Sequence, residues 1–156
     1  MDYQICALSG DEFTHLRGLD DESLAKNGAR RLKVDSKPGY PCRVTLEEAD
    51  IGESVLLVNY QHLAVGTPYR SAHAIFVREG ATTCSPFVNR IPEQLRTRLL
   101  SIRAFDADGM MVDADVVHGK ESEALVRRLL DDQSVDYLHI HNAKRGCYAA
   151  RVDRVR

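Results

Sequence analysis

The feature that most restricts the fold is the period-two alternation in VDYLHIHNAKRGCYAARVDRV (Val135–Val155). Two runs rich in β-formers, VDYLHIHNA and CYAARVDRV, flank Lys144-Arg145-Gly146. Side chains on a strand alternate between faces, so runs like these fit a hairpin with one apolar face. A three-residue loop wants a left-handed residue at its last position, and Gly146 supplies it without a Cβ penalty. That loop pairs Ala143 with Cys147, His141 with Ala149, and His139 with Arg151. Leu138, Ile140, Tyr148, Ala150 and Val152 then share a core face. Tyr137, His139, His141, Cys147, Arg151 and Asp153 share the polar one. A two- or four-residue loop would turn one strand over and mix the faces.

The same logic applies at Leu99–Phe105 and Met110–Val117, joined through Ala107-Asp108-Gly109. Its register places Arg103 across from Asp113 as a cross-strand ion pair. Met110, Val112, Ala114 and Val116 then accompany Leu100, Ile102 and Ala104 on one face. Upstream, Tyr3–Leu8 reads as a strand, and Ser9–Glu12 has capping-box spacing for a short helix with Phe13 and Leu16 inward. Asp20 or Asp21 can cap DESLAKN, which Gly28 would close. Ala29–Val34 is basic enough for an edge strand, and Ser54–Tyr60 is apolar on both faces, as a central strand is. Gln61–Ser71 reads as a loop, and His73–Glu79 as a further strand. Thr45–Glu48 has the spacing for one helical turn, Gly80–Arg90 reads as loop, and Pro92 suits the first turn of PEQLRTR. The longest helix spans about Lys120–Asp131, with Leu125, Val126, Leu129 and Leu130 as its apolar stripe. Consecutive hairpins with few helices predict an α+β fold, mainly antiparallel, in a single domain over 1–156.

Composition removes several functional classes. Hydrophobic residues make up 44% of the 156, which excludes wholesale disorder. The net charge of -2 and the scattered basic residues weigh against nucleic acid as a partner. No apolar run approaches a membrane span, and no signal peptide is evident, so the expectation is a cytoplasmic protein with reduced thiols. The four cysteines, Cys6, Cys42, Cys84 and Cys147, form no CxxC pair. No GxGxxG, phosphate-loop or GxSxG motif is present.

Several long stretches together resemble one family. They are KPGYPCR (Lys37–Arg43), GESVLLVNYQH (Gly52–His62), TPYRSAHAIFVR (Thr67–Arg78), RAFDADGMMVDADVV (Arg103–Val117) and HIHNAKRGCYAARVDR (His139–Arg154). The chain is similar to the bacterial family catalogued as domain of unknown function 1203. The resemblance implies a small bacterial cytosolic protein. It implies no activity, so no catalytic residue is carried over.

The candidate chemistry therefore comes from the residues themselves. His139-x-His141 places two imidazoles on one side of a strand, where both can reach one centre. With Cys147 they form a possible zinc or transition-metal set, completed by His73 or Asp113. The lack of a second ligand motif makes an ordinary polar network the preferred reading of the pair. Cys42 and Cys147 are the candidate nucleophiles, Cys42 first because Pro38, Gly39 and Pro41 hold its loop in a defined shape. The alternative for each is a small buried hydrophobe. Arg43, Tyr69, Arg70, His73, Arg78 and Lys144 are candidate ligands for an anionic small molecule. The sequence thus points to a small-molecule binder or enzyme with a His/Cys/Arg pocket on the C-terminal hairpin. In the enzyme version a histidine is general base and Cys42 or Cys147 the nucleophile. The competing reading is a non-catalytic interaction protein using the same polar face.

Overall fold

A computed structural model describes residues 1–156. The alternating runs form nine strands: β1 (Tyr3–Cys6), β2 (Ala29–Lys33), β3 (Ser54–Leu63), β4 (Ser71–Arg78), β5 (Phe87–Val88), β6 (Leu99–Phe105), β7 (Met111–His118), β8 (Tyr137–Asn142) and β9 (Tyr148–Arg154). Helices are α1 (Asp21–Lys26), α2 (Glu93–Arg96) and α3 (Ser122–Asp131), with 3-10 segments at Gly10–Leu16 and Gly119–Glu121. The fold is α+β and antiparallel throughout its two sheets. One sheet has the order β5-β1-β9-β8-β6-β7 and the other β2-β3-β4.

The helix starts follow their caps. Ser9 Oγ accepts from the Asp11 N–H at 3.3 Å, and Asp20 Oδ1 accepts from the Ser23 N–H at 2.8 Å. The apolar stripe of α3 packs on the six-stranded sheet: Leu125, Val126, Leu129 and Leu130 share a core with Tyr3, Ile5, Leu100, Ile102, Leu138, Ile140, Ala150 and Val152. The three-stranded sheet has its own core, in which Leu56, Val58, Ile75 and Val77 meet Phe13, Leu16 and Leu24. As its basic composition predicts, β2 is an edge strand, and β3 lies in the centre.

Two β-bulges correct the expected register. In the β6–β7 hairpin the three-residue loop forms as expected, with the Asp106 N–H bonding Met110 O at 2.9 Å and Gly109 at φ 84°. Past the loop the register shifts, so Asp113 lies across from Ala104 and Arg103 across from Ala114. The expected Arg103–Asp113 pair is absent. Asp113 instead meets Arg128 of α3 at 3.2 Å, and Val112 and Val116 are exposed rather than core. An extra residue turns the following side chains to the other face, and no compositional signal marks it.

The β8–β9 hairpin departs in a second way. The Asn142 N–H bonds Cys147 O at 2.9 Å, which closes a four-residue loop, Ala143–Gly146. Gly146 is left-handed, φ 77°, as expected, but the loop is one residue longer. A bulge at Ala149 absorbs the difference: His141 pairs with Tyr148, while Ile140 pairs with Ala150 and His139 with Arg151. The expected register is therefore correct from Ile140 outward and wrong at the turn. There Tyr148 joins the histidine face and Cys147 leaves it.

Two smaller expectations also fail. Thr45–Glu48 forms no helix, being tied down by a bridge between Pro41 and Glu48. The Gly80–Arg90 loop contains β5, which pairs with Gln4 and Ile5 of β1.

Candidate functional site

The C-terminal hairpin is where polar chemistry is buried, in two adjoining places. The first is built around Arg43. Its backbone is anchored on both sides, since the Arg43 N–H bonds Phe76 O at 3.0 Å and Arg43 O accepts from the Leu8 N–H at 2.9 Å. The side chain, 1% exposed, crosses to the hairpin. Nε donates to Tyr148 O at 2.8 Å, Nη1 to Pro41 O at 2.6 Å, and Nη2 to Cys147 Sγ at 3.0 Å. No carboxylate bonds this guanidinium. Burial pulls its pKa below the arginine range, and neighbouring Arg98 adds to that pull, while Cys147 opposes it. Asn142 Nδ2 also points a donor at Cys147 Sγ, 3.5 Å away.

Arg43 and Cys147 face a cavity of about 480 Å³ between the two sheets. Leu57, Ala74, Phe76 and Leu99 give it apolar walls, and Arg98, Lys144, Arg145 and His73 add basic groups. No Asp or Glu lines it. Arg98 is paired with Glu48. Lys144 and Arg145 sit exposed on the hairpin loop. The size is in the ordinary range for small-molecule pockets, which combine apolar walls with a few polar groups.

The second place lies on the histidine face of β8. Both rings are buried, His139 to 3% and His141 to 1% exposure. His62, at the end of β3, meets them from the other sheet, with ring centroids 5.9 Å from His139 and 4.9 Å from His141. Tyr148, turned inward by the bulge, stacks on His62 at 5.3 Å and an interplanar angle of 7°. One ring nitrogen from each histidine lies within 4.8 Å of the other two. His141 Nδ1 bonds Gly146 O at 2.9 Å. His62 Nδ1, His139 Nδ1 and His141 Nε2 are buried without any partner. Burial, the largest cause in each case, pushes the three pKa values down, to about 4 for His62 and about 3 for His139 and His141.

The candidate residues thus separate. His139 and His141 come together as expected, but with His62 in place of Cys147. The expected set of His139, His141 and Cys147 is not the one brought together. Arg43, His73, Lys144 and Cys147 share the cavity. Cys42 is 0% exposed, and its sulfur accepts from the Val44 and Arg78 N–H groups, so it is enclosed in the core of the smaller sheet. Arg78 is saturated by Glu47, Glu53 and Asp50. Tyr69 packs against Phe105, and Arg70 reaches Gln61, both away from the cavity. Sequence reasoning missed His62, Arg98, Asn142, Arg145 and Tyr148. His62 had a signal, because Val58, Tyr60 and His62 keep the strand alternation past the point where a loop was expected.

The architecture and buried polar site define an α+β protein with two packed antiparallel sheets and no helix long and apolar enough to cross a membrane. The chain belongs to the family described as protein of unknown function (DUF1203), whose family model matches residues 39–154. No curated protein and no solved structure matches it. The matched span contains Arg43, His62, the C-terminal hairpin histidines and Cys147.

Proposed function

We propose that this protein binds a small organic anion, a carboxylate or a phosphate ester, in the cavity between the sheets. One observation carries the reading: the 480 Å³ cavity has apolar walls, four Arg or Lys side chains and no carboxylate in its lining. Lys144 and Arg145 at the rim attract and orient the charged group, and Leu57, Phe76 and Leu99 take the apolar part. Cys147 and His73 are the reactive groups that such a ligand would meet, with Cys147 the nucleophile if the protein is an enzyme. Concavity favours this over a flat interaction face.

Calorimetric titration against a panel of carboxylates and phosphate esters tests the proposal. At least one anion should bind and raise Tm. The double variant Lys144→Ala/Arg145→Ala should weaken it about tenfold or more, given roughly 1.5–3 kcal/mol for a hydrogen bond to a charged group. Binding that is indifferent to both substitutions, or no binding across the panel, contradicts it.

A further inference from the structure

We infer that His62, His139 and His141 form a mononuclear site for a divalent transition metal, zinc being the class that fits best. The site is distinct from the anion cavity and uses neither Cys147 nor Arg43.

The geometry comes from three separate parts of the fold. Period-two alternation places His139 and His141 on one face of β8. The length of β3 carries His62 across to them from the second sheet. The bulge at Ala149 brings Tyr148 inward, and its ring lies flat against His62. Three ring nitrogens within 4.8 Å of one another leave a centre no more than about 2.8 Å from each, against roughly 2.0–2.1 Å for a zinc–nitrogen bond. Side-chain adjustments of less than an ångström close that gap.

The hydrogen bonding supports the same conclusion. With Nδ1 of His141 donating to Gly146 O, its Nε2 carries the lone pair and has no partner. A metal-binding histidine typically donates its other N–H in this way, which fixes its tautomer and orientation. Nδ1 of His62 and Nδ1 of His139 are also buried and unpartnered. Three orphaned nitrogens in one cluster are expensive, because buried polar groups in proteins are nearly always paired. A bound cation would use lone pairs that nothing in the protein uses.

The ligand set selects the ion. Three imidazoles suit zinc, cobalt or nickel, whereas calcium and magnesium require oxygen ligands. Non-haem iron sites of the two-histidine, one-carboxylate type do not fit, since no carboxylate is in the cluster. Three protein ligands leave a fourth tetrahedral position for water or an exogenous group. Arg103, across from His139 on β6, bonds Ser101 Oγ at 3.3 Å and no carboxylate, so an anion at that position would find a cation nearby.

The test uses untagged full-length protein, stripped with chelator and titrated with zinc and with cobalt(II). One equivalent should bind, and the cobalt form should show the intense visible d–d bands of a four-coordinate centre. His62→Ala is the informative variant, because His62 is only half-buried and its loss spares the core. It should keep the native circular dichroism spectrum and weaken binding by about 100-fold or more, whereas Cys147→Ser should bind as the parent does. Folded protein that takes up less than about a tenth of an equivalent overturns the inference, as does His62→Ala binding with parental affinity. Loss of metal in Cys147→Ser with retention in His62→Ala overturns it as well. None of these outcomes depends on the anion pocket.

Discussion

Arg43 shows how much one side chain can hold. Its three bonded nitrogens reach Pro41, Tyr148 and Cys147, and thereby join the loop between β2 and β3 to the last strand. Lysine carries the charge but not the planar fork, and would leave at least one buried acceptor unbonded. Arg43→Lys should therefore destabilise the protein by about 3 kcal/mol, read from urea denaturation. A loss below about 1 kcal/mol would mean that the fork contributes little. The cysteines allow a second check. Cys42 is sealed and its sulfur is used by two backbone N–H groups, whereas Cys147 lines a cavity. Site-resolved alkylation of native protein should label Cys147 and leave Cys42 untouched until unfolding. Native labelling of Cys42 would show that its loop opens. Cys42 ranked first on the sequence because two prolines and a glycine define its loop. A rigid loop can point a thiol inward as well as outward, and the local sequence does not encode which.

At the level of elements, the alternation of apolar residues identified most strands and the main apolar stripes. It missed the bulges in the two hairpins and a third in β3 between Tyr60 and Leu63, each a single extra residue that leaves composition unchanged. The Ala149 bulge decides which residues neighbour His139 and His141, so site membership was misread although the strand and its two histidines were read correctly. The caps at Ser9 and Asp20 were legible because they are local, although the same kind of spacing at Thr45–Glu48 starts no helix; β5, two residues paired with β1, was not legible. One inter-element contact makes a pH prediction. Glu79, just after β4, accepts from Arg31 of β2 at 2.9 and 2.7 Å and from the Gly18 N–H at 2.9 Å. The Arg31 bonds, and secondarily the Gly18 bond, hold its pKa below the ordinary value of 4.5, despite the opposing effect of burial. A carboxylate with a depressed folded value contributes stability that is complete above its unfolded pKa and is lost as pH falls through the folded one. Glu79→Gln should thus lower Tm by roughly 2–5 °C at pH 7, with the difference from the parent shrinking below about pH 4. A Tm difference that stays constant from pH 7 to pH 3 would show that the ion pair is not its source.

Across the whole molecule, both candidate sites lie where the two sheets meet. Each is assembled from segments distant in the chain: His62 with His139 and His141, and Arg43 and Arg98 with Cys147. Hydrophobic periodicity says which face of a strand is buried but not which distant strand it will be buried against. That is why the hairpin histidines and Cys147 were legible as a group, Arg43 and His73 only as candidates without a place, and His62 and Arg98 not at all. A variant that loosens the contact between sheets should disturb both sites together.

The strand order has a consequence for how the chain is made. β1, near the N-terminus, lies between β5 and β9, and β9 holds β1 on one side and β8 on the other. During translation the first strand emerges long before its main partner, so the larger sheet stays open until β9 clears the ribosome. High contact order of this kind slows folding and exposes unpaired edges meanwhile. Ribosome-stalled chains ending before Tyr148 should be digested readily by protease, and chains long enough to free Arg154 from the exit tunnel should resist it. Equal resistance at both lengths would mean that the sheet closes without its last strand.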